Sequence, residues 1–193
     1  MAMISSKGFT ILELIVVIVV IGTLTTITVV AFNGIQDRAY MSQIYANVSS
    51  TAKLMNSYHI FNRTYPIVAN TNCIGKVSDY PATGGFVAGS CGIDTSNSSS
   101  WGQANDSFMT MLGTMGTVPT GTTPRIATHY GIKYRGVYFQ INDYPKGSAW
   151  PDSVFFEFAV PGKLDCQGKP YISRYDSSGN STYCSYYFNA EGS

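Results

Sequence analysis

The sequence contains few charged residues and no run of lysines and arginines. Only 12% of its 193 residues are Asp, Glu, Lys or Arg, and the formal net charge at pH 7 is +1. Nucleic-acid-binding domains usually carry a concentrated basic patch, and this sequence shows none. The composition therefore argues against a function in nucleic-acid recognition, and no specific nucleic-acid site is visible.

The sequence also lacks the common catalytic motifs. It contains only two histidines, His59 and His129, and neither H-E-x-x-H nor G-x-S-x-G occurs. The oxygen-rich segment DSSGN at residues 176–180 has fewer carboxylates than an EF-hand calcium loop. We therefore expect that the protein is not an enzyme and that it uses no cofactor and no metal ion.

Proline is absent between residues 33 and 62, and Gly34 is the only glycine there. Apolar or aromatic residues recur in this segment at intervals of three or four, which predicts an amphipathic helix. Residues 9–31 are almost wholly apolar, with Glu13 as their single charge, and a helix of that length is about 35 Å long. The two segments together predict one helix of about 50 residues whose first half is long enough to span a membrane.

Beyond Pro66 the composition changes to Gly, Ser, Thr, Asn and Tyr. A short helix is predicted over 105–112, and strands are predicted over 136–141, 153–160, 171–175 and 181–188. The predicted fold is α+β: a long N-terminal helix, membrane-spanning in its first half, packs by its second half on an antiparallel sheet of about four strands. The C-terminal region is expected to be disulfide-bonded.

Residues 7–14 read KGFTILEL, and an apolar stretch of about 20 residues follows. This segment resembles the N-terminus of type IV pilins and their prepilin precursors. The resemblance implies that a prepilin peptidase cuts between Gly8 and Phe9 and methylates the new amine of Phe9. It also implies that Glu13, the fifth residue of the mature chain, pairs with the N-terminal amine of a neighbouring subunit. Many family members carry a proline where this chain has Val30.

The resemblance implies a structural subunit of a type IV pilus filament. Its expected partners are identical pilin subunits, the prepilin peptidase, the pilus assembly machinery and, before assembly, the membrane. The implied localisation is the cytoplasmic membrane as a single-pass precursor and then a surface filament that serves adhesion or motility. Two alternatives are a minor or tip pilin that acts as an adhesin and a type II secretion pseudopilin.

The implied organisation has four segments. They are a cleaved leader peptide (1–8), a hydrophobic transmembrane and assembly helix (9–31), the amphipathic half of the same helix (32–64) and a globular head domain (65–193).

Four cysteines allow three disulfide pairings. We favour the sequential pairing Cys73–Cys91 and Cys166–Cys184, because each pair lies within one local segment. A disulfide that closes a loop as short as the one between either pair stabilises a fold by about 3 kcal/mol in the chain-entropy model. The second pair also matches the C-terminal disulfide loop of many pilins. An even number of cysteines after an export-like N-terminal segment is typical of an oxidising compartment.

The acceptor pattern N-x-S/T for N-linked glycans begins at five asparagines: Asn47, Asn62, Asn97, Asn105 and Asn180. Such matches arise easily by chance in a chain rich in Ser, Thr and Asn, and they matter only where glycosylation machinery exists. The sequence does not distinguish among the five.

Overall fold

The computed structural model describes residues 10–66, 68, 73–119, 125–142, 153–166 and 172–189. Its helices are α1 (Ile11–Asn62), a short 3-10 helix (Val77–Asp79) and α2 (Asp106–Gly113). Its strands are β1 (Ser90–Asp94), β2 (Ser100–Gln103), β3 (Ile126–His129), β4 (Ile132–Arg135), β5 (Tyr138–Asn142), β6 (Ser153–Pro161), β7 (Ile172–Asp176) and β8 (Ser181–Asn189). The chain divides into two compact units, Met1–Arg38 and Ala39–Ser193.

The first unit contains the beginning of α1. The large apolar side chains from Ile11 to Leu24 are 48–79% exposed. The hydroxyls of Thr23, Thr25 and Thr26 donate to backbone carbonyls one turn earlier in the helix, at 2.7–2.9 Å. This part of α1 therefore uses its polar groups internally and leaves its apolar side chains open.

The prediction that residues 9–31 span a membrane is wrong. Among the residues that the structure describes, no helix combines the length and the apolar character needed to cross a bilayer. The localisation that depended on this span, a single-pass precursor in the cytoplasmic membrane, is wrong for the same reason.

The core of the second unit forms where the later part of α1 meets a sheet. One stripe of α1 is buried, with residues at intervals of three or four: Met41, Ile44, Val48, Ala52 and Met55. The same cluster contains residues of α2 and alternate residues of β6, namely Phe108, Leu112, Val154, Phe156, Phe158 and Val160. The helical spacing in α1 and the alternation in β6 thus place the apolar side chains of both elements in one core.

Two antiparallel four-stranded sheets follow the helix. The first has the strand order β5-β6-β8-β7, with Phe156 opposite Tyr186 and Phe158 opposite Cys184. The second has the order β2-β1-β4-β3. The sheets meet in a small cluster that contains Ala127, Tyr134 and Ala159.

The prediction of a long helix packed on a single sheet is therefore wrong. The four strands predicted from the sequence form only the first sheet. The second sheet uses strands of four or five residues, such as SCGID and SWGQ, in which Gly and Ser replace the alternating apolar residues. Backbone pairing defines these strands, and β2 lies within a segment rich in Ser and Asn.

The short helix predicted over 105–112 is present as α2. Its N-cap is Asn105, whose side-chain oxygen accepts hydrogen bonds from the backbone N–H groups of Ser107 and Phe108. An asparagine at this position satisfies N–H groups that have no partner within the helix.

The structure contains both favoured disulfides, Cys73–Cys91 and Cys166–Cys184. Cys91 lies in β1, and Cys73 forms a backbone bridge with Tyr138 of β5, so the first disulfide connects the two sheets. Gly102 has a φ of +74° and lies against both sulfurs, where a side chain would collide with them. Cys184 is in β8, so the second disulfide ties the segment after β6 to that strand.

Arg135 is fully buried and holds the segment before β1 in place. Its guanidinium donates to the carbonyl oxygens of Ser90 at 2.7 Å and Val87 at 2.9 Å, and also to that of Pro81. The group lies 4.3 Å from the centroid of the Phe86 ring. Burial lowers the pKa of Arg135, and the carbonyl oxygens supply the partners that a buried cation requires.

The turn between β7 and β8 packs tightly on the second sheet. A Cβ atom on Gly179 would overlap the carbonyl oxygen of Thr128 in β3. We expect Gly179→Ala to lower the free energy of unfolding by about 2 kcal/mol, because Thr128 is held by its pairing with Lys133 and its carbonyl by the hydroxyl of Ser181. Urea denaturation measures the change.

Gly113→Ala is the matched control, because nothing lies within 4 Å of a Cβ atom at Gly113. That variant should be unchanged or slightly more stable. Equal stability of the two variants would contradict the packing described for Gly179.

Candidate assembly site at the start of helix α1

Glu13 lies in the first turn of α1 and forms a capping box with Thr10. The backbone N–H and the hydroxyl of Thr10 both donate to Glu13 Oε2 at 2.9 Å. The backbone N–H of Glu13 donates in return to Thr10 Oγ1 at 3.2 Å. The sequence T-I-L-E fits the S/T-x-x-E pattern of this motif, which satisfies N–H groups at a helix start.

The capping box keeps the carboxylate charged and holds it in one orientation. The hydrogen bonds from Thr10 lower the pKa of Glu13. A negative charge is also favourable in the first turn because of the helix dipole. The described hydrogen bonds to the carboxylate all end on Oε2, so Oε1 can accept a donor from another molecule.

The partner predicted for Glu13 was an amine of a neighbouring subunit, and the described partner is Thr10 of the same chain. The described hydrogen bonds use Oε2, so they do not conflict with that prediction. Gly8 and Phe9, the predicted positions of cleavage and methylation, lie outside the described residues. The side chain of Val30 lies outside them as well.

Apolar side chains surround Glu13 on every side of the helix. Ile11, Leu12 and Leu14 are 79%, 74% and 61% exposed, and the same pattern continues to Leu24. Fully burying one side chain of this kind contributes about 1.5–3 kcal/mol. A helix that is apolar all round needs cover, and the start of α1 is therefore the part of the described chain best suited to association.

The two histidines lie apart and have separate structural roles. His59 is near the end of α1 and stacks on Tyr65, with ring centroids 4.5 Å apart. His129 is the last residue of β3 and is only 6% exposed. It stacks on Tyr183 at 5.2 Å, and burial lowers its pKa.

The fold brings Ser181, His129 and Asp176 together, which the sequence did not indicate. The hydroxyl of Ser181 is 3.5 Å from His129 Nδ1 but donates to the carbonyl of Thr128 at 2.6 Å. Ser181 is fully buried, and its proton is already engaged. Together the three residues connect the β7–β8 turn to β3. The hydroxyl of Ser181 is buried and already bonded, so it is not positioned to act as a nucleophile.

Asp176 connects the same turn to the β3–β4 hairpin. Its carboxylate accepts hydrogen bonds from the backbone N–H groups of Ser178 and Tyr130, both at 2.9 Å, and from the Ser178 hydroxyl. The segment DSSGN is therefore a turn whose oxygens are used internally. Among the described residues, no three His, Cys, Asp or Glu side chains are grouped so as to hold a metal ion.

The tyrosines near the C-terminus pack across strands. Phe155 and Tyr187 are opposite each other in β6 and β8, with ring centroids 4.5 Å apart. The hydroxyl of Tyr183 donates to the half-buried carboxylate of Glu157, whose pKa is raised by burial. These contacts are cross-strand pairs of the kind that stabilise sheets.

Comparison with protein-family models, with curated proteins and with solved structures finds no match to this chain. The pilin resemblance therefore depends on the residues around Gly8 and Glu13 and on the helix that follows them.

The hydrogen bonds to Asp176 predict an acid-dependent stability. They lower its pKa from an ordinary value of about 3.9 to about 2. A lowered pKa means that the carboxylate contributes its full stability above about pH 4 and loses it as the pH falls through about 2. We expect Asp176→Asn to be less stable at neutral pH and to show a smaller loss between pH 4 and pH 2.

Thermal unfolding followed by circular dichroism at a series of pH values measures this difference. Asp165→Asn removes an exposed carboxylate and should follow the wild-type curve. If Asp176→Asn and wild type lose stability in parallel, the hydrogen bonds to Asp176 do not stabilise the fold.

The capping box predicts how α1 responds to changes at Thr10. Thr10→Ala removes the side-chain donor and acceptor, so the first turn should fray and its amide hydrogens should exchange faster. Thr10→Ser retains the hydroxyl and should exchange like wild type. Hydrogen–deuterium exchange over residues 11–16 makes the comparison, and identical exchange in all three chains would show that the box contributes nothing.

Proposed function

We propose that this chain is the structural subunit of a type IV pilus filament, cut between Gly8 and Phe9 and polymerised through the start of α1. The observation that supports the proposal best is the exposed apolar surface from Ile11 to Leu24, next to a carboxylate held in a capping box. The resemblance of KGFTILEL to prepilins supplies the processing step.

Apolar contact between subunits is the main adhesive force in this proposal. The exposed side chains are mostly Ile, Val and Leu, which interdigitate well and have no polar atoms to desolvate. Identical chains present identical helices, so one mode of contact repeats along a filament. Burial of this surface is non-directional, and it does not by itself fix how far one helix slides along the next.

Glu13 supplies the missing register. Cleavage before Phe9 would create an ammonium group, and Oε1 of a neighbour's Glu13 is the acceptor that the capping box leaves open. Opposite charges attract more strongly once apolar helices exclude water, and either charge buried alone is unfavourable. A misplaced subunit would leave both groups unpaired, so the pair selects one axial position.

The Cys166–Cys184 disulfide favours a pilin over a secretion pseudopilin within this proposal. It closes the segment between β6 and β8 in the manner implied by the C-terminal disulfide loop of many pilins. The second unit is braced by two disulfides, which suits a protein that works in an oxidising environment.

Removing the carboxylate should impair assembly without unfolding the chain. We expect Glu13→Ala to lower the yield of filaments by roughly tenfold or more, because the neighbour's ammonium would be buried without a partner. Electron microscopy and pelleting of filaments measure the yield, and circular dichroism checks the fold.

Asp165→Ala is the control, because it removes an exposed carboxylate from the second unit and should leave the yield unchanged. A normal filament yield from Glu13→Ala would show that the charge pair does not direct assembly.

Processing is tested separately. Intact-mass measurement should give a chain that begins at Phe9 and carries one added methyl group, whereas Gly8→Leu should give the uncut chain. Wild-type chains that still begin at Met1 would remove the amine on which the Glu13 pairing depends.

A further inference from the structure

We propose that Asn97 is an acceptor for an N-linked glycan. Five asparagines fit the N-x-S/T pattern, and the structure places them in five different environments. Only Asn97 combines exposure, a free amide nitrogen and an exposed hydroxyl residue two positions later. The inference concerns the second unit and is independent of the proposed assembly through α1.

Asn97 lies at the tip of the connection between β1 and β2. The connection is closed at its base, where the backbone N–H of Asp94 donates to the carbonyl of Ser99 at 2.9 Å. Ser98, at the centre of the acceptor pattern, has a φ of +57°. Thr95 is anchored to the β3–β4 turn by two hydrogen bonds to the carbonyl of Gly131, and all residues from 95 to 99 are exposed.

The side chain of Asn97 forms an Asx turn. Its Oδ1 accepts a hydrogen bond from the backbone N–H of Ser99 at 2.9 Å. An Asx turn folds the residue two positions later back toward the asparagine side chain, which puts the amide of Asn97 and Ser99 in one compact turn. Within the described part of the chain, Asn97 Nδ2 and the Ser99 hydroxyl form no hydrogen bond, so both remain open to an enzyme.

Two of the other asparagines lie in α1. Asn47 is in the interior of the helix, where side chains two residues apart point in different directions. Asn62 is the last residue of α1, and its Nδ2 donates to the carbonyl of Tyr58 at 3.1 Å. Neither presents its amide together with the required hydroxyl.

The acceptor pattern at Asn180 is inaccessible to an enzyme, because its hydroxyl residue, Thr182, is buried. Thr182 is only 1% exposed, and its hydroxyl donates to the carbonyl of Gly162 at 2.8 Å while accepting from the backbone N–H of Leu164. An enzyme would have to unfold the start of β8 to reach it.

Asn105 is the nearest competitor, because it also accepts a hydrogen bond from the residue two positions later. It is the N-cap of α2, however, and accepts a second bond from Phe108 N. The central residue of its pattern, Asp106, is fixed by a hydrogen bond from Val77 N at 2.9 Å. The Asn105 segment is therefore fixed by contacts on both sides of its acceptor pattern, whereas the described hydrogen bonds of residues 96–99 stay within the β1–β2 connection.

The donor class required is a glycan linked through a diphosphate to a lipid. Asn97 Nδ2 forms a bond to the anomeric carbon of the first sugar, and the bond from that carbon to the diphosphate oxygen breaks. The electron pair leaves with the lipid diphosphate, and the proton lost from Nδ2 passes to a carboxylate of the transferase. No oxidant or reductant is consumed.

The test uses the full, disulfide-bonded chain with a single-subunit oligosaccharyltransferase that accepts N-x-S/T and a lipid-diphosphate-linked oligosaccharide. Intact mass and peptide mapping should show one glycan, located at Asn97. Asn97→Gln and Ser99→Ala should abolish it, while Ser99→Thr and the control Asn105→Gln should retain it. A short N-x-T peptide in the same mixture reports that the enzyme is active.

Two results would overturn the assignment. One is an unmodified folded chain under conditions in which the short peptide is glycosylated. The other is a glycan at Asn105, Asn180 or an α1 position with Asn97 unmodified. Circular dichroism of each variant separates a lost acceptor from a lost fold, since exposed tip residues can be replaced without disturbing the sheets.

Discussion

The structure of the second unit depends on the packing of α1 against β6. Ile44, Val48 and Met55 supply the helix side of that contact, and Phe156 and Phe158 supply the strand side, all of them fully or almost fully buried. A strand that alternates large buried residues with half-buried ones accepts a helix on one face only. Its other face is then free to meet the second sheet, as Ala159 does beside Ala127 and Tyr134.

The same helix changes character along its length, and that change links structure to function. From Tyr40 to Met55 one apolar stripe of the helix is buried in the core of the second unit, while Ile60 and Phe61 near its end are exposed. From Ile11 to Leu24 the large apolar side chains are exposed, and within the described residues the carboxylate of Glu13 accepts its hydrogen bonds from Thr10. Folding therefore buries the apolar stripe in the later part of α1, while the apolar side chains at its start remain exposed. Under the proposed function, this division would let the second unit fold completely before neighbouring subunits are added.

Much of the fold follows from periodicity, and the rest depends on contacts that periodicity does not report. The end of α1, the position of α2 and the strands β5 to β8 are visible as runs with a clear apolar period. The second sheet shows no such period in the sequence. Its strands are short and polar, and its contacts are backbone pairing and hydrogen bonds from Arg135 to backbone carbonyls. The capping box is recognisable in the sequence, because T-I-L-E fits the S/T-x-x-E pattern of a helix start. Asp176, His129 and Ser181 meet only because two turns dock, which no local pattern encodes.

The central claim is that an amine at Phe9 of one chain meets Glu13 of another. A zero-length carbodiimide cross-link within filaments tests it most directly, because it joins only an amine and a carboxylate already in contact. Filaments assembled from an equal mixture of unlabelled and ¹⁵N-labelled chains distinguish links between subunits from links within one chain. The account predicts Phe9–Glu13 cross-linked peptides that carry one labelled and one unlabelled partner. Cross-links confined to peptides of uniform label, or filaments in which Glu13 forms none, would contradict it.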